Sequence, residues 1–520
     1  MYARTNQDAS RKTPGHNAGS KTPGHNAGSS QVLANPSQTP APKTSKVSVK
    51  KPLKAAGALV DLNVNPCKMC MPMGTCMAAY GVRGTLSILH GSQGCATYIR
   101  RHMATHFNEP VDIASSSLTE QGTVYGGEEN LRKGIDNLIR LYSPELVCVS
   151  TTCLAETIGE DTKGILERWR QDNPASEVEV IAVSAPGYGG SEYEGFFRFS
   201  RALLEQIEMR PHNAAPGQLN LICGPLSPAD LRTLKQLLAA FALDAVILPD
   251  ISDNLDRPHL PTYERLPQSG TPLNRIRGMA GSLLTIELAL NVNDNLSPAA
   301  LLRERYGVPY RRLAPPVSLR DMDTLVAILA EFSGRRPPEQ LQQQRGRYLD
   351  AMVDSHKYNA EGKAAIFGEA DFCYSTARMC LEQGIVPVLV AAGSKAPGLR
   401  AALEAEIAEL AERFMLDSFT IIDEADFGTI ERLCAELGVN LLFGSSDGRR
   451  IEESQGIPLV RCAFPIHDRI GGQRVTTIGY EGSLNLVDRA TNALLERKQS
   501  RFRRAIFDEF FTSPKRFYSE

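Results

Sequence analysis

The chain has 520 residues, 42% of them hydrophobic, and a formal net charge of −2 at pH 7. This length predicts several domains, and the near-neutral charge argues against a general nucleic-acid or other polyanion binder. No apolar run is long enough to span a membrane, and the N-terminus lacks the apolar stretch of a secretory signal. Eleven cysteines in so long a chain are not a disulfide scaffold, so a reduced, cytoplasmic setting with metal-binding thiols is predicted.

The N-terminal segment, residues 1–57, differs in composition from the rest of the chain. It contains a tandem repeat, KTPGHNAGS, at Lys12–Ser20 and again at Lys21–Ser29. A stretch rich in proline, serine, threonine and lysine follows the repeat. Because this segment has few apolar side chains to bury, it is predicted to be a disordered tail.

From about residue 60, short apolar runs alternate with amphipathic stretches. This alternation is typical of parallel sheets with crossover helices. It predicts an α/β fold with three Rossmann-like domains and mainly parallel sheets, at residues 58–216, 217–340 and 341–490. A charged helical extension, 491–520, is expected to pack at an edge or on a partner. The candidate strands are LSILH, ELVCVS, VEVIAVS, LNLICG, DAVILP, KAAIFG, VPVLVAA, FTIID, NLLFG and IPLVRCAF.

Three cysteines lie at glycine-rich or small-residue turns: Cys70 in NPCKMC, Cys95 in HGSQGC and Cys153 in STTC. Cys95 and Cys153 also follow predicted buried strands, TLSIL and ELVCV, and precede helical patterns. Ligands gather at the carboxyl ends of strands in open α/β domains, and several thiolates there suit an iron–sulfur cluster. The sequence therefore predicts a redox protein.

The turn HGSQGC is the sharpest of these motifs. Gly91 and Gly94 permit a tight turn and a close approach of the backbone to a bulky ligand. Cys95 then opens a helix, whose first N–H groups favour a thiolate. The cysteines outside such turns are interpreted as packing residues, namely Cys148, Cys223, Cys373, Cys380, Cys434 and Cys462.

Two weaker metal-binding patterns are also present. Cys67 and Cys70 form a C-x-x-C pair, but no second pair recurs, which disfavours a zinc site. His102 and His106 have the i, i+4 spacing of ligands on a helix. Because no third ligand accompanies them, we interpret these histidines as a polar or packing face.

Several longer stretches surround and follow these motifs: NPCKMCMPMG, LHGSQGCATYIRRHMATHFNEPVDIASSSLTE, VYGGEENLRKGI, VSTTCLAETIGED, RGRYLDAMVDSH, FGEADF, LLFGSSDGR and PLVRCAFPIHDRIGGQRVTTIGYEG. With these stretches, most of residues 60–490 resembles the β-type subunit of nitrogenase component 1. Their length and order make the resemblance specific for this superfamily. They are less specific for the member, because the superfamily includes nitrogenase-like reductases and a scaffold paralogue that assembles the cofactor.

The resemblance implies a cluster shared between two chains. Cys70, Cys95 and Cys153 match the three β-side ligands of an [8Fe-7S] P-cluster, with a [4Fe-4S] cluster as the alternative, and a homologous α-type subunit supplies further ligands. The implied assembly is α2β2. An ATP-dependent iron protein is expected to deliver electrons, which the cluster passes to a second cofactor in the α-type subunit. Neither nucleic acid nor a membrane is an expected partner.

Two positions depart from the family pattern. The stretch PGYGGS has Gly187 where nitrogenase β subunits carry a serine that can ligate the oxidised cluster, although Tyr188 and Ser191 lie nearby in sequence. Cys67 adds a thiol where dinitrogen-reducing β subunits commonly have none. It is either a spare ligand or a buried bystander, and the second interpretation is preferred.

Two functions from different classes remain open. The first is a catalytic role as the electron-relay subunit of an enzyme that reduces dinitrogen or another small molecule, such as a methylthio-alkane. The second is a scaffold role in biosynthesis of the iron–molybdenum cofactor. Retention of all three cysteines favours the relay, whereas HGSQGCATYIRR and the GSSDGR to FPIHDR region are at least as close to the scaffold paralogue. A zinc-stabilised α/β binding protein is a third, less favoured alternative.

Overall fold

The short apolar runs become strands of parallel sheets, because helices on both sheet faces bury every side chain of a central strand. A computed structural model of the chain describes residues 48–49, 64–262 and 264–511. Within these residues, three sheets contain only parallel strand pairs. The strands are β1 (Ser48–Val49), β2 (Thr85–His90), β3 (Ile113–Ser115), β4 (Leu146–Thr151), β5 (Glu179–Val183), β6 (Leu219–Cys223), β7 (Ala245–Leu248), β8 (Leu284–Leu288), β9 (Tyr310–Leu313), β10 (Lys363–Gly368), β11 (Val386–Ala392), β12 (Ser418–Ile422), β13 (Leu441–Gly444) and β14 (Leu459–Arg461).

Helices connect most of the strands and cover the sheets. Several begin at a serine whose hydroxyl accepts a backbone N–H of the first turn, among them Ser191, Ser227, Ser297 and Ser318. The helices are α1 (Met71–Ala79), α2 (Gln93–Phe107), α3 (Glu120–Tyr125), α4 (Glu128–Tyr142), α5 (Cys153–Ile158), α6 (Thr162–Asp172), α7 (Glu192–Gln206), α8 (Pro228–Ala240), α9 (Leu273–Gly278), α10 (Pro298–Tyr306), α11 (Leu319–Ser333), α12 (Glu339–Asn359), α13 (Ala370–Glu382), α14 (Leu399–Arg413), α15 (Phe427–Glu436), α16 (Arg449–Gln455) and α17 (Gly479–Phe511).

The first sheet has the strand order β3-β2-β4-β5, which places β2 beside β4 in its centre. Their register pairs Thr85 with Leu146 and His90 with Thr151, so the two strands end together. Every residue of both strands is buried. The turns that follow β2 and β4 therefore emerge side by side at the carboxyl edge of this sheet.

The second sheet has the order β7-β6-β8-β9 and contains a buried ion pair. Glu287 of β8 accepts a hydrogen bond from Arg312 of β9 at 3.0 Å and another from Ser297 Oγ at 2.7 Å. Burial raises the pKa of Glu287, and its bonds to Ser297 and Arg312 oppose that rise. This pairing is what allows a charged residue to lie inside the sheet.

The third sheet has the order β1-β12-β11-β10-β13-β14. Its first strand comes from the predicted tail, since Ser48–Val49 pairs in parallel with Ser418 and Phe419 of β12. The tail prediction was therefore wrong for these two residues, which gain backbone partners at the edge of a sheet. The rest of that prediction, at residues 1–47 and 50–57, lies outside the described residues.

Helices α1 and α7 pack with their backbones in direct contact. A Cβ atom on Gly74 of α1 would lie 1.8 Å from the Glu192 carbonyl oxygen. One on Gly195 of α7 would lie 2.0 Å from the Met71 carbonyl oxygen. Only glycine fits at such distances, so this pair sets how closely the two helices approach.

The predicted C-terminal helix is longer than expected at its N-terminal end, since α17 begins at Gly479. Ser483 Oγ donates to the Val317 carbonyl at 2.6 Å, and Thr491 Oγ1 donates to Asn359 at 2.8 Å. The first half of α17 therefore holds together the segment before α11 and the end of α12. Residues 512–520 lie outside the described residues.

The predicted fold class, α/β with three Rossmann-like units and mainly parallel sheets, is confirmed. Apart from β1, each sheet falls within one of the predicted domains, whose exact boundaries remain predictions. In the described part of the chain, no helix combines the length and the apolar character needed to cross a membrane.

Candidate iron–sulfur cluster site

Two adjacent turns place Cys95 and Cys153 at the carboxyl edge of the first sheet. Cys95 is the third residue of α2, after β2, and Cys153 is the first residue of α5, after β4. The turns are bonded to each other, since the Thr152 N–H donates to the His90 carbonyl at 3.1 Å. The structure therefore places both cysteines at strand-to-helix turns, as the sequence predicts.

The two glycines of the HGSQGC turn have different surroundings. A Cβ on Gly91 would lie 1.9 Å from Thr152 Oγ1, so this glycine is required by the neighbouring turn. A Cβ on Gly94 would meet only Ser92 Oγ, at 3.8 Å, which leaves open space beside Cys95. The sequence predicts a close approach to a ligand at both positions, whereas Gly91 is already needed for contact within the protein.

Cys70 reaches the site from the start of α1, where it is the N-cap residue. It forms an antiparallel bridge with Ser191, the N-cap residue of α7. Next to this bridge, Met69 and Glu192 are joined by two hydrogen bonds: the Met69 N–H donates to Glu192 Oε2 at 2.7 Å, and the Glu192 N–H donates to the Met69 carbonyl at 3.1 Å. These bonds and the contact between α1 and α7 fix where Cys70 lies.

Gly187 lies between the thiols of Cys70 and Cys153. It begins a 3₁₀ turn, Gly187–Gly189, that follows β5. Its N–H donates to Cys153 Sγ at 3.1 Å. A Cβ on Gly187 would lie 2.6 Å from Cys70 Sγ and 3.2 Å from Cys153 Sγ. The missing side chain therefore leaves the two thiols facing one shared space.

The Cys70 thiol also interacts electrostatically with both other cysteines. Partial burial, followed by the nearby thiols of Cys153 and Cys95, raises the pKa of Cys70 to about 11, whereas a backbone hydrogen bond from Met71 opposes the rise. At neutral pH the metal-free thiol is therefore protonated. Binding of iron by Cys70 as a thiolate would release this proton.

Burial separates the three site cysteines from most of the others. Cys70 and Cys153 are exposed, Cys95 is half-buried, and all eleven cysteines are free thiols. Cys462 is half-buried away from the three turns, where it lines an internal cavity. The remaining cysteines are buried, namely Cys67, Cys76, Cys148, Cys223, Cys373, Cys380 and Cys434.

Cys67 points toward the interior rather than toward the other half of its C-x-x-C pair. It is 6% exposed, and burial raises the pKa of its thiol well above the usual value. The groups that add to this rise are Cys373, Glu369, Glu192 and Asp447, and none of the three site cysteines is among them. These surroundings support the interpretation of Cys67 as a buried bystander.

The two nearby hydroxyl groups differ in their availability to a ligand. Ser191 is fully buried, and its Oγ accepts the Tyr193 N–H at 3.2 Å as part of a capping box with Glu194. Tyr188 is exposed on the turn that begins at Gly187. The Ser191 hydroxyl is therefore occupied in capping α7.

A buried network that sequence reasoning missed supports the turn after β2. His90 Nδ1 and Ser116 Oγ are 2.9 Å apart, and His90 Nε2 and Glu160 Oε2 are 3.2 Å apart. The other Glu160 oxygen accepts the Gly127 N–H at 2.6 Å, and Ser116 Oγ accepts the Gly91 N–H at 3.1 Å. The sequence does contain one indication of this network, a histidine at the end of an apolar strand. A polar side chain that is buried there requires hydrogen-bond partners.

His102 and His106 do not form a metal-binding pair. His102 is exposed, whereas His106 is buried and its Nδ1 accepts the Ile466 N–H at 2.9 Å. The His106 ring packs edge-on against Phe107 and Phe464. Burial lowers the pKa of His106 to about 4, so the ring is neutral at physiological pH.

An internal cavity of about 110 Å³ lies where segments following β6, β9, β10 and β14 meet. Glu192 and Glu369 line it and hydrogen-bond to each other. Burial raises the pKa of both carboxyl groups, which favours one shared proton between them. Glu192 thus contacts both Glu369 in the interior and Met69, the residue before Cys70.

The donor set of the three site cysteines suits a cluster better than a single ion. Within the described ranges, no group of three or more histidine, cysteine, aspartate or glutamate side chains is arranged to hold one metal ion. In a polynuclear cluster the thiolates bind several irons, so its ligands lie farther apart than those of one ion. The free thiols of Cys70 and Cys153 beside the space left by Gly187, with that of Cys95 near Cys70, fit such a group.

Comparison with known proteins gives matches over most of the chain. The family described as "Nitrogenase component 1 type Oxidoreductase" matches residues 70–495. The nitrogenase molybdenum-iron protein beta chain of Clostridium pasteurianum is 31% identical over 437 residues, covering 84% of this chain and 94% of that protein. The protein of the same name from Methanococcus maripaludis (strain S2) is 32% identical over 456 residues, covering 84% and 95% of the two chains.

Solved structures agree with the sequence matches. A structure described as "Nitrogenase Cp1 at pH 6.5" superposes with a TM-score of 0.79 at 30% identity, covering 87% of this chain and 96% of that one. A second, "Nitrogenase Cp1 at pH 5", has a TM-score of 0.62 at 14% identity and supports the fold alone. The chain therefore belongs to the nitrogenase component 1 type oxidoreductases, as a β-type subunit.

Proposed function

We propose that this chain is the electron-relay subunit of a nitrogenase or nitrogenase-like component 1. Cys70, Cys95 and Cys153 hold one side of a P-cluster-like iron–sulfur cluster, and a homologous α-type subunit holds the other. The observation that carries the proposal is that the thiols of Cys70 and Cys153 face each other across Gly187, while Cys95 interacts electrostatically with Cys70 at the same edge of the first sheet. The relatives named as nitrogenase beta chains support it.

The surroundings of the thiols support a shared, subunit-bridging site. Tyr98, one turn after Cys95, is exposed, and so is Tyr188, next to Gly187. Val124 and Tyr125 are exposed on α3, which contacts α5. Exposed apolar side chains of this kind mark protein–protein interfaces. A partner seated here would exclude water from the cluster and complete its ligand set.

The chain's own groups would bind the cluster and hold its ligands in place. The cluster, when bound, accepts and donates electrons. The Gly187 N–H, already directed at Cys153 Sγ, donates a hydrogen bond that helps to hold that ligand in place. A backbone hydrogen bond from Met71 acts in the same way at Cys70. The His90–Glu160 network orients the turn that carries Cys95.

The proposed assembly is an α2β2 complex in the cytoplasm that receives electrons from an ATP-dependent iron protein. The substrate is dinitrogen or another small molecule, such as a methylthio-alkane. The competing proposal is a scaffold for biosynthesis of the iron–molybdenum cofactor. The observation that favours it is Gly187, which offers no side-chain oxygen to an oxidised cluster.

Purification of the full chain with the product of its neighbouring α-type gene tests both proposals. Both predict iron in the complex, and the relay predicts an eight-iron cluster with a P-cluster-like EPR signal after oxidation. Added iron protein and ATP should then support reduction of dinitrogen or a thioether. A complex without iron contradicts both proposals, whereas a complex with iron that hands over cofactor and reduces no substrate favours the scaffold.

A further inference from the structure

The internal cavity of about 110 Å³ is large enough for a small organic molecule. An engineered protein cavity of about 150 Å³ binds benzene, so this smaller one has room for roughly four or five non-hydrogen atoms. Much of its wall is apolar, including the side chains of Phe107, Leu226, Val317, Phe372 and Phe464. A molecule that fits this wall has a short hydrocarbon body and few polar atoms.

Two buried polar atoms of the wall have no hydrogen-bond partner within the part of the chain that the structure describes. They are Ser375 Oγ and Glu369 Oε1. Ser375 is fully buried, and its hydroxyl does not bond back to the carbonyl four residues earlier, as serines inside helices often do. The other oxygen of Glu369 accepts the Ser394 hydroxyl at 2.5 Å. Because buried polar groups are nearly always paired, these two atoms indicate that a ligand pairs with them.

Two other carboxyl groups of the wall are already occupied. Asp371 accepts the Asn291 N–H at 2.9 Å and the Asn291 Nδ2 group at 2.8 Å. Asp230 accepts the Thr477 N–H at 2.7 Å and the Ile478 N–H at 3.2 Å. Among the described residues that line the cavity, none is a lysine or an arginine. These surroundings favour a ligand that donates hydrogen bonds and carries positive rather than negative charge.

We propose that the cavity binds a small primary ammonium ion with a short alkyl chain. The ammonium group donates to Glu369 Oε1 and to Ser375 Oγ, and the alkyl chain packs against the apolar wall. Glu369 is the N-cap residue of α13 and Ser375 lies in its second turn, so one helix supplies both acceptors. None of the three site cysteines lines the cavity, and the proposal does not depend on the cluster.

The first test compares three probes of similar size by titration calorimetry, with the full chain in the complex in which it is isolated. Propylammonium has both the charge and the N–H donors, 1-propanol has a donor without the charge, and tetramethylammonium has the charge without a donor. Propylammonium should bind at least about tenfold more tightly than either of the others, because each of those lacks the charged hydrogen bonds. The proposal is overturned if propylammonium does not bind, or if another probe binds as tightly.

The second test removes one acceptor. Ser375→Ala should weaken the binding of propylammonium about tenfold. Thr376→Val is the matched control, since the Thr376 hydroxyl is also buried without a partner among the described residues but is not part of the cavity wall. Both variants lose a buried hydroxyl that has no partner, so neither should lower the unfolding temperature.

Unchanged binding in Ser375→Ala contradicts the proposal, and so does an equal loss of binding in both variants. A crystal structure of the complex soaked in propylammonium gives a direct check. It should show the ammonium nitrogen within hydrogen-bond distance of Glu369 and Ser375. Ordered water alone in the cavity would overturn the proposal.

Discussion

Cys67 and Cys95 have different surroundings, although both belong to motifs of the same predicted site. Cys95 is half-buried at the edge that carries Cys70 and Cys153, whereas Cys67 is buried next to Cys373 and Glu369. Cys95→Ala should therefore strip or distort the cluster and loosen the contact with the α-type subunit. Cys67→Ala should keep the iron content unchanged. Iron analysis and co-purification of the two variants check this expectation, and full iron content in Cys95→Ala would contradict the ligand assignment.

The sequence alone predicts only part of the arrangement of the cysteines at the candidate cluster site. Glycine-rich turns after apolar runs indicated Cys95 and Cys153, because strand ends follow directly from hydrophobic patterning. The proximity of Cys70 to them depends on the bridge to Ser191, more than a hundred residues away along the chain. Spacing alone cannot predict such a contact, and it cannot show which way Cys67 points.

His106 should make the stability of the protein depend on pH. Its pKa is lowered to about 4 by burial, against about 6.5 in the unfolded chain, so the unfolded state binds more protons between these values. The free energy of unfolding therefore falls as pH drops from about 6.5 toward 4, by up to about 3 kcal/mol from this residue. Urea denaturation at several pH values should show a shallower dependence in His106→Gln. Equal dependence in both proteins would show that His106 does not remain neutral when folded.

The contact between α1 and α7 rests on two glycines, which makes it sensitive to a single methyl group. Gly195→Ala would place a carbon 2.0 Å from the Met71 carbonyl oxygen, so the helices must separate. We expect a loss of about 3 kcal/mol in the free energy of unfolding, together with displacement of Cys70. Chemical denaturation and iron content measure the two effects.

Gly346→Ala is the control for that experiment. Gly346 lies inside α12, and a Cβ there would meet nothing within 4 Å. Because alanine favours the helix and restricts the unfolded chain, this change should stabilise the protein by about 0.5–1 kcal/mol. Similar destabilisation by both substitutions would mean that the cost at Gly195 does not come from the contact with α1.

Two of the strands that patterning missed, β8 and β9, carry charged residues that interrupt the apolar pattern. The ten predicted strands are apolar runs, and each overlaps a strand of the structure. In contrast, β8 carries Glu287 and β9 carries Arg311 and Arg312, so neither forms an uninterrupted apolar run. The Glu287–Arg312 pair satisfies these charges across neighbouring strands. β3 was missed for another reason, because three residues at a sheet edge leave too short a pattern.

At the scale of the molecule, α17 has two parts with different roles. Its first part buries Tyr480, Leu486, Val487 and Leu494, whereas residues 499–511 are all exposed. A chain ending at Lys498 should therefore unfold at the same temperature as the full chain. A chain ending at Ile478 should lose this burial and fail to fold. Thermal denaturation and limited proteolysis of both truncated proteins test the division, and a stable chain ending at Ile478 would contradict it.

The location of the three thiols at an exposed edge has a thermodynamic consequence. In the proposed complex, each subunit supplies part of one ligand set, so retention of iron and association of the subunits are linked equilibria. Whatever free energy the cluster adds to the subunit contact, the contact adds equally to the affinity for the cluster. Dilution should therefore promote loss of iron by mass action, and a chelator should remove iron more readily from a dilute solution than from a concentrated one.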